Sequence, residues 1–245
     1  MSYRILIADD QLIIRKLLHD LVTEQGGIIV GEATDGKEAI ELFATHKPEL
    51  VLLDLTMPVV GGLDVLQIIK RLEPATKVIV VSAIGRGEEV DKAIRLGVDD
   101  YLVKPFSKET VIASMDRVMR QRRVLVADDQ LFARRILDQC IEQFGWEKVA
   151  EASNGKEAIE LFSRHEPDIL CLDVDMPVTN GIDALKVIHQ IKPQAQILMM
   201  GTPQEKEQVE GLGAKGFLEK PLVPEKVEAA VRKALEAGIK ARIHS

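Results

Sequence analysis

Asp9 and Asp10 follow the apolar run Ile5-Leu6-Ile7-Ala8, Asp54 follows Leu50-Val51-Leu52-Leu53, and Lys104 with Pro105 follows Tyr101-Leu102-Val103. Runs of this length and composition read as strands buried on both faces, so each of these polar residues falls where a strand ends. An unpaired carboxylate directly after such a run is expensive to bury. If the strands lie side by side, three carboxylates meet at one edge, where like charges repel. A hard cation relieves that repulsion, and Mg2+ in particular prefers a few carboxylates, waters and a phosphate to an all-protein cage. A lysine at the same edge can pair with an incoming anion. Carboxylate, cation and ammonium together suit in-line phosphoryl transfer onto an aspartate. Taken singly the residues are less telling: Asp9-Asp10 could cap a helix starting near Gln11, and Lys104 could be a surface lysine.

The set occurs twice. Arg4-Ile5-Leu6-Ile7-Ala8-Asp9-Asp10-Gln11 returns 119 residues later as Arg123-Val124-Leu125-Val126-Ala127-Asp128-Asp129-Gln130, and Gly36 to Phe43 returns unchanged as Gly155 to Phe162. Asp54 maps onto Asp173, and Lys104-Pro105 has its counterpart in Lys220-Pro221. A period this long is a whole domain rather than a solenoid repeat, so the sequence predicts two domains, residues 1–122 and 123–245, each with its own core.

The elements that must position these residues alternate. Strands are expected at Ile5 to Ala8, Ile28 to Glu32, Leu50 to Asp54, Val78 to Val81 and Tyr101 to Val103. Helical spacing runs between them: Leu12, Ile13, Lys16, Leu17, Asp20 and Leu21 suggest the first helix, followed by Lys37 to Ala44 and Leu63 to Leu72. The expected fold class is therefore α/β, a (βα)5 doubly wound parallel sheet in each copy, with the chemistry at the carboxyl ends of the strands. Lys108 to Arg122 reads as a helix leading directly into the strand at Val124, which would restrict the orientation of the two domains.

Asp9-Asp10, Asp54-Leu55-Thr56-Met57-Pro58 with Gly61-Gly62, Val81-Ser82-Ala83 and Tyr101-Leu102-Val103-Lys104-Pro105 together resemble the receiver domain of two-component response regulators, once per copy. The resemblance implies a flavodoxin-like strand order of 2-1-3-4-5. It implies that Asp54 is the phosphoacceptor, and that Asp10 and the carbonyl of Thr56 are Mg2+ ligands, with Asp9 acting through water. Lys104, beside a cis peptide, would grip a phosphoryl oxygen; Ser82 would be the switch hydroxyl, Ala83 the small residue leaving access, and Tyr101 the aromatic that swings inward. In the second copy Asp128, Asp129 and Asp173 would hold the metal, Asp173 would be a second acceptor and Lys220 its lysine. Three departures stand out there. Ser82 maps onto Gly201, with Thr202 one residue along; the stretch from there to the lysine is three residues shorter, around the fourth helix; and Asp175 replaces Thr56, adding a carboxylate beside the acceptor.

Composition sets the remaining expectations. The chain of 245 residues has 46% apolar and 29% charged residues, ordinary for a globular protein, and a net charge of −7 that argues against nucleic acid as a partner. No apolar run approaches the roughly 18 residues of a membrane span and no signal peptide opens the chain, so a cytoplasmic protein with no membrane partner is expected. Cys140 and Cys171 align with Leu21 and Leu52 and read as core residues. His46 and His165 read as helix ends. Arg117, Arg120, Arg122 and Arg123 read as cations at a helix C-terminus. Trp146, the sole tryptophan, offers itself as a fluorescent reporter of metal in the second copy. The leading functional expectation is a regulator without an output domain. It would be phosphorylated by a histidine kinase or phosphotransfer protein, act on an unidentified protein target, and leave homodimerisation open. The alternatives are a phosphate sink for a kinase and, from Asp173-Val174-Asp175, a Mg2+-dependent phosphohydrolase of the haloacid dehalogenase type.

Overall fold

Residues 3–243 are described by the computed structural model, and the chain forms two compact units, one built on the residues up to Arg120 together with Arg242 and Ile243, the other on Gln121 to Ala241. The first alternates β1 (Arg4–Ala8), α1 (Leu12–Glu24), β2 (Ile28–Ala33), α2 (Gly36–His46), β3 (Leu50–Leu53), α3 (Gly62–Leu72), β4 (Lys77–Ser82), α4 (Glu88–Arg95), β5 (Asp100–Val103) and α5 (Lys108–Met119). The second repeats the order with β6 (Arg123–Ala127), α6 (Leu131–Gln143), β7 (Glu147–Ala152), α7 (Gly155–His165), β8 (Ile169–Asp173), α8 (Gly181–Ile191), β9 (Ile197–Gly201), α9 (Pro203–Val209), β10 (Gly216–Glu219) and α10 (Pro224–Ile243). Each unit has one five-stranded sheet, ordered β2-β1-β3-β4-β5 and β7-β6-β8-β9-β10, with every pairing parallel. This is the doubly wound α/β class with the expected strand order.

The inner strands β1, β3, β4, β6, β8 and β9 are almost wholly apolar because helices cover both faces, whereas the edge strands β2 and β7 carry Glu32, Glu147, Lys148 and Glu151. In β6, Val124 and Val126 pack with Cys140, Cys171 and Val231 on one face, while Leu125 and Ala127 pack with Phe162, Leu172 and Leu185 on the other. Both cysteines are thus buried core residues. His46 and His165 end α2 and α7.

Three expectations change. The buried face of α1 is Arg15, Leu18, Leu21 and Val22, whereas Leu12, Ile13 and Leu17 are exposed, Ile13 at 81%. The apolar spacing picked the wrong stripe because an arginine is drawn inside to a backbone carbonyl, which periodicity does not register. Helix α5 also stops at Met119, with Arg120 already extended (φ −78°, ψ 155°). A strand that starts at Arg123 needs its approach to be extended, so the helix does not run on to Arg122 as expected. Arg117 does not merely face the helix terminus: it pairs with the buried carboxylate of Asp100, which also accepts the Ser114 hydroxyl at 2.7 Å.

Candidate functional site

In the first unit the parallel register brings the ends of β1, β3 and β5 together. Asp54 N–H donates to Ala8 O at 2.8 Å, and Lys104 N–H to Ser82 O at 2.8 Å. Carboxylate oxygens of Asp9, Asp10 and Asp54 lie within 4.8 Å of one another, with Asp9 and Asp54 buried and Asp10 exposed. Lys104 Nζ reaches between two of them, 2.6 Å from Asp9 Oδ2 and 2.7 Å from Asp54 Oδ2. Asp54 Oδ1 accepts the Thr56 N–H at 3.0 Å. Burial raises Asp9 above the usual carboxylate range against the pull of Lys104. Burial pulls Lys104 down, but its bonds to Asp54 and Asp9 hold the ammonium above its ordinary value.

Helix α3 is seated directly on the acceptor backbone. A Cβ at Gly62 would lie 2.0 Å from Asp54 O, so only glycine permits this approach, and Gly62 N–H donates to Leu55 O at 2.9 Å. Gly181 repeats the arrangement, its Cβ position 1.8 Å from Asp173 O.

Beside the carboxylates, Ser82 is fully buried and its Oγ accepts the Ile84 N–H at 3.2 Å. Ala83 is exposed. Tyr101 is already turned inward, its hydroxyl donating to Ile84 O at 2.5 Å. Burial, reinforced by repulsion from Asp54 and Glu89, pushes the phenol up to about 12. The peptide before Pro105 is cis, as is that before Pro221.

The second unit assembles Asp128, Asp129 and Asp173 in the same way, with Lys220 Nζ 2.9 Å from both Asp128 Oδ2 and Asp173 Oδ1. Lys220 is thus the partner of the buried Asp128 Oδ2, and one ammonium faces three carboxylates. Burial, with repulsion from Asp128 and Asp129 behind it, pushes Asp173 up to about 6 against the pull of Lys220. Three carboxylates within 4.8 Å of one another, two of them buried, against a single ammonium form the hard oxygen donor set that suits a small divalent cation, so the residues fit Mg2+. The side chain of Asp175 does not join: it is exposed, and its carboxylate is not among the converging oxygens. A short polar side chain pointing out of the strand-end turn meets water rather than the cluster. Thr202 is also exposed, its hydroxyl held by Glu205 at 2.9 Å. Trp146 stacks near Phe144, 4.8 Å between centroids, just before β7. That is the opposite edge of the parallel sheet from Asp173, about five residues or roughly 17 Å of strand away, so Trp146 is not a local reporter of metal.

One contact in each unit escaped the sequence reading. Arg15 Nη1 donates to Asp9 O at 2.8 Å, and Arg134 Nη1 to Asp128 O at 2.7 Å, fixing the backbone that carries the aspartate pair. The signal was available: the repeat carries Arg15 onto Arg134.

Comparison with known proteins agrees with this geometry. The profile of the response regulator receiver domain family matches residues 5–116 and again 124–232. The chain is 39% identical over 120 residues to the chemotaxis protein CheY of Thermotoga maritima, covering 49% of this chain and 100% of that protein. It is 40% identical over 126 residues to the transcriptional regulatory protein PdtaR of Mycobacterium tuberculosis, covering 51% of this chain and 60% of that one. Among solved structures, the CheX–CheY–BeF3–Mg2+ complex from Borrelia burgdorferi is similar at 30% identity, covering 48% of this chain and 90% of that chain with a TM-score of 0.46. Such relatives match about half of the chain because it carries the module twice. With matches over both halves, the chain belongs to the response regulator receiver domain family as a tandem pair.

Proposed function

We propose that the chain is a phosphorelay response regulator in which residues 1–122 and 123–245 are receiver domains and Asp54 accepts a phosphoryl group from a histidine kinase or phosphotransfer protein. The observation that carries this reading is Lys104 Nζ bridging Asp9 and Asp54 at 2.6 and 2.7 Å beside the exposed Asp10. That is an acceptor carboxylate, a cation seat and an anion-binding ammonium on one open edge.

Asp54 Oδ2 forms the new P–O bond as the P–N bond to the donor imidazole breaks, and the leaving nitrogen keeps the electron pair. Asp54 Oδ1 is meanwhile held by the Thr56 N–H. Lys104 moves from its two carboxylates to a phosphoryl oxygen, exchanging one anionic partner for another. Asp9, Asp10, Asp54 and the Thr56 carbonyl would hold Mg2+, which when bound supplies charge neutralisation of the phosphoryl oxygens. Ser82 then turns its hydroxyl from Ile84 N–H to the phosphoryl group, and Tyr101 keeps the inward position. Asp128, Asp129, Asp173 and Lys220 form the corresponding cluster of the second domain, whose three carboxylates would hold a second Mg2+. The exposed Leu12 and Ile13, one turn from Asp10, give the donor protein an apolar face beside the acceptor.

Incubation with acetyl phosphate and Mg2+ followed by intact mass tests the reading. One added phosphoryl group per acting site is expected, and Asp54→Asn should remove the first. Persistent labelling of a 1–122 fragment carrying Asp54→Asn, or multiple turnover on a phosphomonoester, would overturn it in favour of another acceptor or a phosphohydrolase.

A further inference from the structure

Gly201 ends β9 where Ser82 ends β4, and it is tied to the site: Lys220 N–H donates to Gly201 O at 2.8 Å, and Gly201 pairs with Glu219. The space above it is not empty. A Cβ at Gly201 would lie 2.6 Å from Glu205 Oε2, 3.3 Å from Phe217 Cζ and 3.3 Å from Val174 Cγ2, the last belonging to the residue after Asp173. Glu205 Oε2 accepts the Thr202 N–H at 2.6 Å and the Thr202 hydroxyl at 2.9 Å.

Both units therefore place a side-chain oxygen at the end of this strand to accept an N–H from the following loop, Ser82 Oγ for Ile84 in one and Glu205 Oε2 for Thr202 in the other. The two oxygens differ in what else they can do. A hydroxyl can turn and donate to an anion, whereas an ionised carboxylate only accepts and repels one.

We infer that Glu205 occupies the place held by Ser82 in the first unit, and that its negative charge, beyond the lack of a hydroxyl, disfavours an anion beside Asp173. The second unit is then a metal-binding domain guarded against phosphoryl transfer. This rests on the proposed reading of Asp128, Asp129 and Asp173 as a cation site.

The test uses the full chain with Asp54→Asn, so that only the second site can respond, and beryllium fluoride as the probe. Mg2+ binding is followed by calorimetry and beryllium fluoride binding by fluorine NMR. Adding Glu205→Ala or the isosteric Glu205→Gln should tighten beryllium fluoride about tenfold, the scale of one lost charge repulsion, while Mg2+ affinity changes little. Unchanged beryllium fluoride affinity in both variants, with Mg2+ still bound, overturns the inference. Tightening by Glu205→Ala alone overturns the role of charge in favour of shape. Loss of Mg2+ binding in the Asp54→Asn parent instead overturns the reading of the second site, and the guard with it.

Discussion

Lys104 stands between two buried carboxylates, and removing its charge leaves them facing each other. Lys104→Met should cost about 3–5 kcal/mol in the metal-free protein, the penalty of breaking a buried ion pair, with part recovered by Mg2+; denaturant melts with and without the cation check this. A second expectation concerns Asp173. With its pKa raised from 3.8 to about 6, the folded state holds this proton more tightly than the unfolded state does. Its contribution to stability is therefore present at low pH and is lost as pH rises through about 6, the window in which cation binding becomes competitive. Mg2+ should accordingly raise the melting temperature of the second unit more at pH above this window than below it. An equal rise across the range would show that Asp173 does not govern the site. At this scale, the aspartates and lysines were legible because their types are costly at strand ends and recur as a set. Arg15 was not, because its partner is a backbone carbonyl; Glu205 was signalled by the Thr202-Pro203-Gln204-Glu205 capping box, which sends its carboxylate back to the Thr202 N–H, but that signal does not say that Gly201 lies beneath it.

At the scale of elements, the alternation of strands and helices followed from buried apolar runs, the pairing order came from the family resemblance, and boundaries and faces followed from neither. Ser82 closes β4, one residue beyond the expected strand, and α1 buries a different stripe from the one its apolar spacing suggested. The exposed stripe gives an expectation of its own. Ile13→Ser should change stability by less than about 0.5 kcal/mol and leave labelling by acetyl phosphate intact, yet slow transfer from a phosphohistidine protein, which must dock. Equal rates from both donors would place docking elsewhere. The seat of α3 is less forgiving. Gly62→Ala drives a Cβ into Asp54 O and should destabilise the first unit by roughly 3 kcal/mol, at the upper end of overpacking costs, because rigid backbone rather than a mobile side chain must give way. A thermal shift of less than a degree would show that the helix can slide.

For the whole molecule, the internal repeat made the organisation legible before any element was placed, since two copies of one pattern predict two sheets and two cores. What it did not show is where the copies diverge in chemistry, which depends on side chains folding over the site. The aromatic residues divide unevenly between the copies. Tyr3 and Tyr101, the only tyrosines, belong to the first unit, and Trp146, the only tryptophan, to the second. Trp146 lies against Phe144 and the core that contains Val124 and Val231, and Tyr3 packs on the core that contains Ile5 and Leu50. The chain thus carries its own two-colour optical labelling. Red-edge excitation selects the indole and follows loss of tertiary packing in one half, while the tyrosine contribution, separated from the overlapping indole band by second-derivative absorbance, follows the other, so the folding of each half can be watched in the intact, unlabelled polypeptide.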